Sequence, residues 1–144
     1  MNDPTVLMKR ISCILLIDDS EADNLFHRII IEESGLCDQI KVAENGERGL
    51  EYIRKSFDAG NDDQYPRANL ILLDINMPRM NGFEFLEAYR ELPEEVKSGI
   101  IIAMLTTSLN PADRERALAT GEIRDFQIKP LSVEVLGGIA EMFF

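Results

Sequence analysis

The chain has 144 residues, 45% hydrophobic and 28% charged, with a formal net charge of −11. That length suits one domain with a real core, and no apolar run approaches the roughly 20 residues that span a bilayer. The acidic balance argues against nucleic-acid binding through this domain. The segment MNDPTVLMKR lacks the basic start and apolar core of a secretory signal. Cys13 and Cys37 follow no metal or redox spacing, which points to reduced thiols and a cytoplasmic location.

Ile11 to Ile17 (ISCILLI) is a short apolar run ended by Asp18, Asp19 and Ser20, and reads as a buried strand. From about Glu21 to Glu33, Leu25, Phe26, Ile29 and Ile30 recur at helical spacing, and Gly35 follows as a stop. The single histidine, His27, is expected at a solvated position on this helix. Gln39 to Ala43 alternates as a second strand. Glu47 to Phe57 is helical, with Leu50, Ile53 and Phe57 on one stripe, and Asp58 to Arg67 is a polar loop. Leu70 to Leu73 is the third strand, followed by a helix from about Gly82 to Glu91 that carries Phe83, Leu86 and Tyr89. Pro93-Glu94-Glu95 is a helix start or a loop. Ile100 to Leu105 is the fourth strand. Asn110 and Pro111 open a helix that ends near Gly121. Phe126 to Ile128 is a short fifth strand, and Ser132 caps a last helix to about Met142.

Apolar strands alternating with helices imply a parallel sheet covered on both faces. In such a sheet ligands bind beyond the carboxyl ends of the strands. The residues at those ends are Asp18 and Asp19, Asp74, Thr106 and Thr107, and Lys129 followed by Pro130. One aspartate at a strand end is commonly a turn former. Charged or hydroxyl groups at four strand ends form a set. Three carboxylates on one rim repel unless protons or a cation neutralise them. Mg²⁺ suits an all-oxygen site, and no His or Cys at this rim offers a zinc ligand. A carboxylate beside a divalent ion can act as a nucleophile toward phosphorus, with Lys129 and Thr106 positioned to offset charge on the transferred group.

The motifs Asp18-Asp19, DINMPRMNG (Asp74 to Gly82), LTTS (Leu105 to Ser108) and Lys129-Pro130 closely resemble the receiver domain of bacterial two-component response regulators. The resemblance runs from about Ile11 to Met142, and extends to the single-domain receivers that accompany bacterial phytochromes. It implies a flavodoxin-like, doubly wound α/β fold with five parallel strands in the order 2-1-3-4-5 and helices on both faces. It implies one receiver domain over residues 1–144. It also implies Asp74 as the phosphoacceptor, with Asp19, Asp74 and the Asn76 backbone carbonyl as direct Mg²⁺ ligands and Asp18 holding the ion largely through water. Lys129 would pair with the phosphoryl group, Thr106 would hydrogen-bond to it, and Thr106 with Phe126 would form the switch. Pro130 would follow a cis peptide, and Gly82 would let the loop after Asp74 turn.

The same resemblance implies a signalling phosphoacceptor that catalyses only its own phosphotransfer and dephosphorylation, with no output domain in the chain. Its implied partners are a sensor histidine kinase or phosphotransfer protein and a downstream protein target, with no membrane or nucleic acid. Phe143 and Phe144 are expected to cover the core or join an interface, and a homodimer or a docked partner is expected on the face that includes the helix from Asn110 to Thr120, the fifth strand and the last helix. Two other readings stand beside this one. A pseudo-receiver would bind partners without phosphorylation. An aspartyl-phosphate phosphatase typically has a second acid two residues after its nucleophile, where this chain has Asn76.

Overall fold

A computed structural model describes residues 11–59 and 64–144. The expected loop from 58 to 67 lies partly outside them. The strands are β1 (Ile11–Ile17), β2 (Cys37–Ala43), β3 (Leu70–Leu73), β4 (Ile101–Thr106) and β5 (Asp125–Ile128). The helices are α1 (Glu21–Ser34), α2 (Gly46–Ala59), α3 (Gly82–Arg90), α4 (Glu94–Lys97), α5 (Pro111–Ala119) and α6 (Val133–Phe143). Every strand pairing is parallel, and the order is β2-β1-β3-β4-β5. This is the expected flavodoxin-like arrangement.

Alternation along the central strands divides the core in two. Leu15, Ile17, Ile71, Leu73 and Met104 point to one side, where they meet Leu50, Ile53, Phe85, Leu86 and Ala117 from α2, α3 and α5. Ile14, Leu16, Leu70, Leu72 and Leu105 point to the other, against Ile31 of α1 and Leu136 and Ile139 of α6. Strands buried on both faces read as continuous apolar runs, which explains why β1 and β3 are so plain in the sequence.

Local signals set the helix ends. The Ser20 hydroxyl accepts a hydrogen bond from the Asp23 N–H, and Gly35 closes α1 with φ 67°. Asn81 and Glu84 form a reciprocal capping box on α3, Asn110 caps α5 with Pro111 behind it, and Ser132 caps α6. Boundaries shift by a residue or two from expectation. β2 begins at Cys37, β4 runs one residue further to include Thr106, and Glu94 opens a short helix.

Helix α1 departs from expectation more sharply. Its buried face is Asn24, His27 and Ile31, while Leu25, Phe26 and Ile29 are exposed. His27 is only 2% exposed and does not occupy a solvated position. Residues 24, 27 and 31 lie on one helical stripe, and Ile31 anchors that stripe in the core, so the apolar residues at 25, 26 and 29 turn outward. At the other end of the chain, Phe143 and Phe144 pack part-buried against the α1/α6 side of the core, and the Arg124 guanidinium lies 5.3 Å from the Phe143 ring centre. No helix among the described residues is long and apolar enough to cross a membrane. Cys13 and Cys37 are free thiols.

Candidate functional site: an acidic rim crossed by one lysine

The sheet carries the site. β1 and β3 pair in register with Ile17 opposite Leu73, and the Asp74 N–H continues the ladder to the Ile17 carbonyl at 3.0 Å. Asp18 and Asp74 therefore emerge side by side. Both are buried, whereas Asp19 is exposed. One ligand oxygen from each of Asp18, Asp19 and Asp74 lies within 4.8 Å of the others. Asp18 is held from two sides: its Oδ1 accepts from the Ser20 N–H at 2.9 Å, and its carbonyl accepts from Asn24 Nδ2 at 2.9 Å. Asn24 thus fixes the rim from beneath, and Glu21, in the same helical turn, is solvated.

Lys129 reaches in from beyond β5. Its N–H donates to the Thr106 carbonyl at 2.7 Å, and its peptide bond to Pro130 is cis, as expected. Its ammonium lies 2.7 Å from Asp18, 2.8 Å from Asp23 and 3.7 Å from Asp74. Asp23 is the contact that sequence reasoning missed. The available signal was an aspartate in the first turn of the helix that follows Asp18-Asp19. Thr106 is fully buried, and its hydroxyl accepts from the Ser108 N–H at 3.2 Å, while Thr107 is exposed. Phe126 is buried on β5, opposite Met104 of β4.

The loop after Asp74 is built by close approach. Asn76 is exposed, Met77 is buried in the core, and Arg79 takes the left-handed conformation with φ 68°. Gly82 lets this loop fold back through close approach: a Cβ there would stand 2.5 Å from the Asp74 carbonyl oxygen and 2.9 Å from the Ile75 Cα. Both are backbone atoms and cannot swing aside. Gly82→Ala is therefore expected to destabilise the fold by about 3 kcal/mol, at the upper end of overpacking costs, and to displace Asp74. Urea denaturation checks the first effect. A wild-type midpoint in the variant would show that the loop yields freely.

Electrostatics follow the geometry. Burial, and then the charge of Asp18, push the Asp74 carboxyl up to about 6, with Lys129 opposing. Burial works against the charge on Lys129, but the hydrogen bonds to Asp18 and Asp23 outweigh it and hold the ammonium above its ordinary range. The hydrogen bond from Lys129 keeps Asp23 below the usual carboxylate range. Burial, then the charge of Lys129, lowers His27. At neutral pH the rim holds more negative charge than one lysine can balance, and its donors are oxygens. That is the donor set of a hard divalent cation.

Fold and rim together define a flavodoxin-like α/β domain with an acidic, lysine-crossed site at its strand ends. The chain belongs to the response regulator receiver domain family, whose model matches residues 14–140. It is 30% identical over 100 residues to the response regulator Rcp1 of Synechocystis sp., a match covering 69% of this chain and 65% of that protein. The Mn²⁺-bound structure of Rcp1 superposes with a TM-score of 0.67 at 25% identity, covering 91% of this chain and 90% of that one. A two-component response regulator from Cytophaga hutchinsonii gives a TM-score of 0.82 at 26% identity, over 93% of this chain and 97% of that one. The bacteriophytochrome response regulator RtBRR gives 0.74 at 26%, over 93% and 79%.

Proposed function

We propose that Asp74 is the phosphoacceptor of a two-component relay, receiving the phosphoryl group of a histidine kinase or phosphotransfer protein. The observation that supports this reading is the convergence of Asp18, Asp19, Asp74 and Lys129 at the end of β3. β3 is buried on both faces, so the Asp74 carboxylate is held on a rigid platform at the strand end. A carboxylate oxygen of Asp74 attacks phosphorus. The P–N bond to the donor histidine breaks, its electron pair leaves with the ring nitrogen, and an acyl phosphate remains.

Asp18, Asp19 and Asp74 would hold Mg²⁺, joined by the Asn76 backbone carbonyl. The three carboxylates fit a hard cation, and the related Rcp1 has been solved with Mn²⁺. When bound, the ion neutralises charge on the phosphoryl oxygens. Lys129 balances the remaining charge. The Thr106 hydroxyl is the hydrogen-bond donor for the phosphoryl group, and its movement, coupled to that of Phe126 on β5, is the readout. The receiver domain signals by changing its affinity for a downstream protein target.

Acetyl phosphate with Mg²⁺ is expected to add one phosphoryl group, detected by intact-protein mass spectrometry and removed by hydroxylamine. Asp74→Asn is expected to abolish it. Persistence of the modification in that variant refutes the assignment. An unmodifiable wild type would select a protein-binding module without phosphorylation.

A further inference from the structure

Lys129 starts beyond β5, and the sheet order places β4 and β3 between it and β1. Its ammonium nevertheless ends at hydrogen-bond distance from Asp18 of the β1 end and Asp23 of α1, with Asp74 of β3 further off at 3.7 Å. An ammonium group has three N–H donors, and two are engaged on the α1 side. Asp18 has a second role at the rim, since its carboxylate is within reach of a cation shared with Asp19 and Asp74. Asp23 lies outside that cluster. It is part-exposed, and its carboxylate is paired with Lys129.

We infer that Asp23 is a competing counter-ion, a positioning residue that holds Lys129 toward α1 and away from Asp74, and so sets how readily the phosphorylated state forms. This rests on Asp74 being the phosphoacceptor. A phosphoryl group on Asp74 brings roughly two negative charges to the end of β3. It draws the ammonium back toward β3. Asp18 can turn to the cation when that happens, which leaves Asp23 as the carboxylate that Lys129 must give up. The effective strength of the phosphoryl–lysine contact is therefore a difference between two ion pairs, and the chain tunes it from the first turn of α1.

Fluoroberyllate, a non-covalent phosphoryl mimic, provides the test, with binding measured by calorimetry and fluorine NMR at saturating Mg²⁺. Asp23→Asn is expected to bind it about two- to fivefold more tightly than wild type, the worth of one part-exposed ion pair. Asp23→Glu keeps the charge and is expected to stay near wild type. Glu21→Gln removes a charge from the same turn outside the Lys129 ion pairs, and is expected to change nothing. A purely structural role for Asp23 at the helix start would alter the melting temperature and leave this affinity alone. If Asp23→Asn does not fold, Asp23→Ala, the best helix former, is read in its place. Unchanged or weaker binding on loss of the Asp23 charge overturns the inference, as does an equal gain in Glu21→Gln. Failure of the phosphoacceptor reading looks different: wild type does not bind the mimic, or Asp74→Asn binds it as well.

Discussion

Replacing Lys129 with methionine is expected to destabilise the metal-free protein by about 3 kcal/mol at pH 8, the scale for breaking a buried ion pair by removing one partner. Methionine retains most of the length and apolar volume of the side chain, so packing changes little. What is lost is the ammonium that crosses the rim. Asp18 and Asp74 are nearly fully buried and face each other across adjacent strand ends. Without Lys129, Asp18 keeps the Ser20 N–H but loses its counter-charge. Two independent conditions are expected to reverse the loss. Mg²⁺ restores positive charge at the same place, and acidification to about pH 5 lets the rim take up a proton. Urea denaturation at pH 8 with a chelator, at pH 8 with Mg²⁺, and at pH 5 separates these cases. An equal loss under all three conditions would mean that the lysine stem, and not its charge, supports the fold.

Most of this fold is legible in the sequence because the central strands are buried on both sides. A run such as Leu70 to Leu73 has no reason to be uniformly apolar in a half-exposed sheet, and its abrupt end at Asp74 marks the carboxyl edge. The caps at Asn110 and Ser132 are local and announce themselves. What is hidden is whatever depends on how a helix is rotated against the sheet. In α1, the apolar residues Leu25, Phe26 and Ile29 outvote Asn24 and His27 on any hydropathy count, yet the polar pair faces inward. Asn24 turns in because its amide donates to the Asp18 carbonyl, a contact with the site that no periodicity encodes.

The same rotation brings Asp23 to Lys129, 106 residues away in the chain. Sequence reasoning assembles the rim because strand ends are ordered by topology. It does not assemble contacts from helix α1, because these require the helix phase. Gly82 shows a milder version. Its place in the loop is readable, but the reason for glycine is contact with the Asp74 carbonyl, which only the folded backbone supplies.

The second large effect concerns Asp74 itself. Its carboxyl is raised to about 6 in the fold, against an ordinary value of about 3.9 in the unfolded chain. A carboxyl whose folded value lies above its unfolded value favours the folded state when protonated. That contribution is complete below about pH 4 and is lost as the pH rises through 6. Above pH 7 the fold therefore carries an ionised Asp74 that it would rather not hold. Asp74→Asn removes this burden with little change in shape. The variant is expected to match wild type near pH 4 and to exceed its stability by up to about 3 kcal/mol at pH 8, since each tenfold change in proton affinity is worth about 1.4 kcal/mol. Mg²⁺ is expected to reverse the order, because it stabilises wild type through the Asp74 carboxylate while Asn offers a weaker ligand. Comparing the two proteins by denaturant titration across pH 4 to 8, with and without Mg²⁺, isolates this one group from the other carboxylates. A stability difference that does not vary with pH would show that the charge of Asp74 is already fully compensated by Lys129, and that the rim is less strained than its geometry indicates.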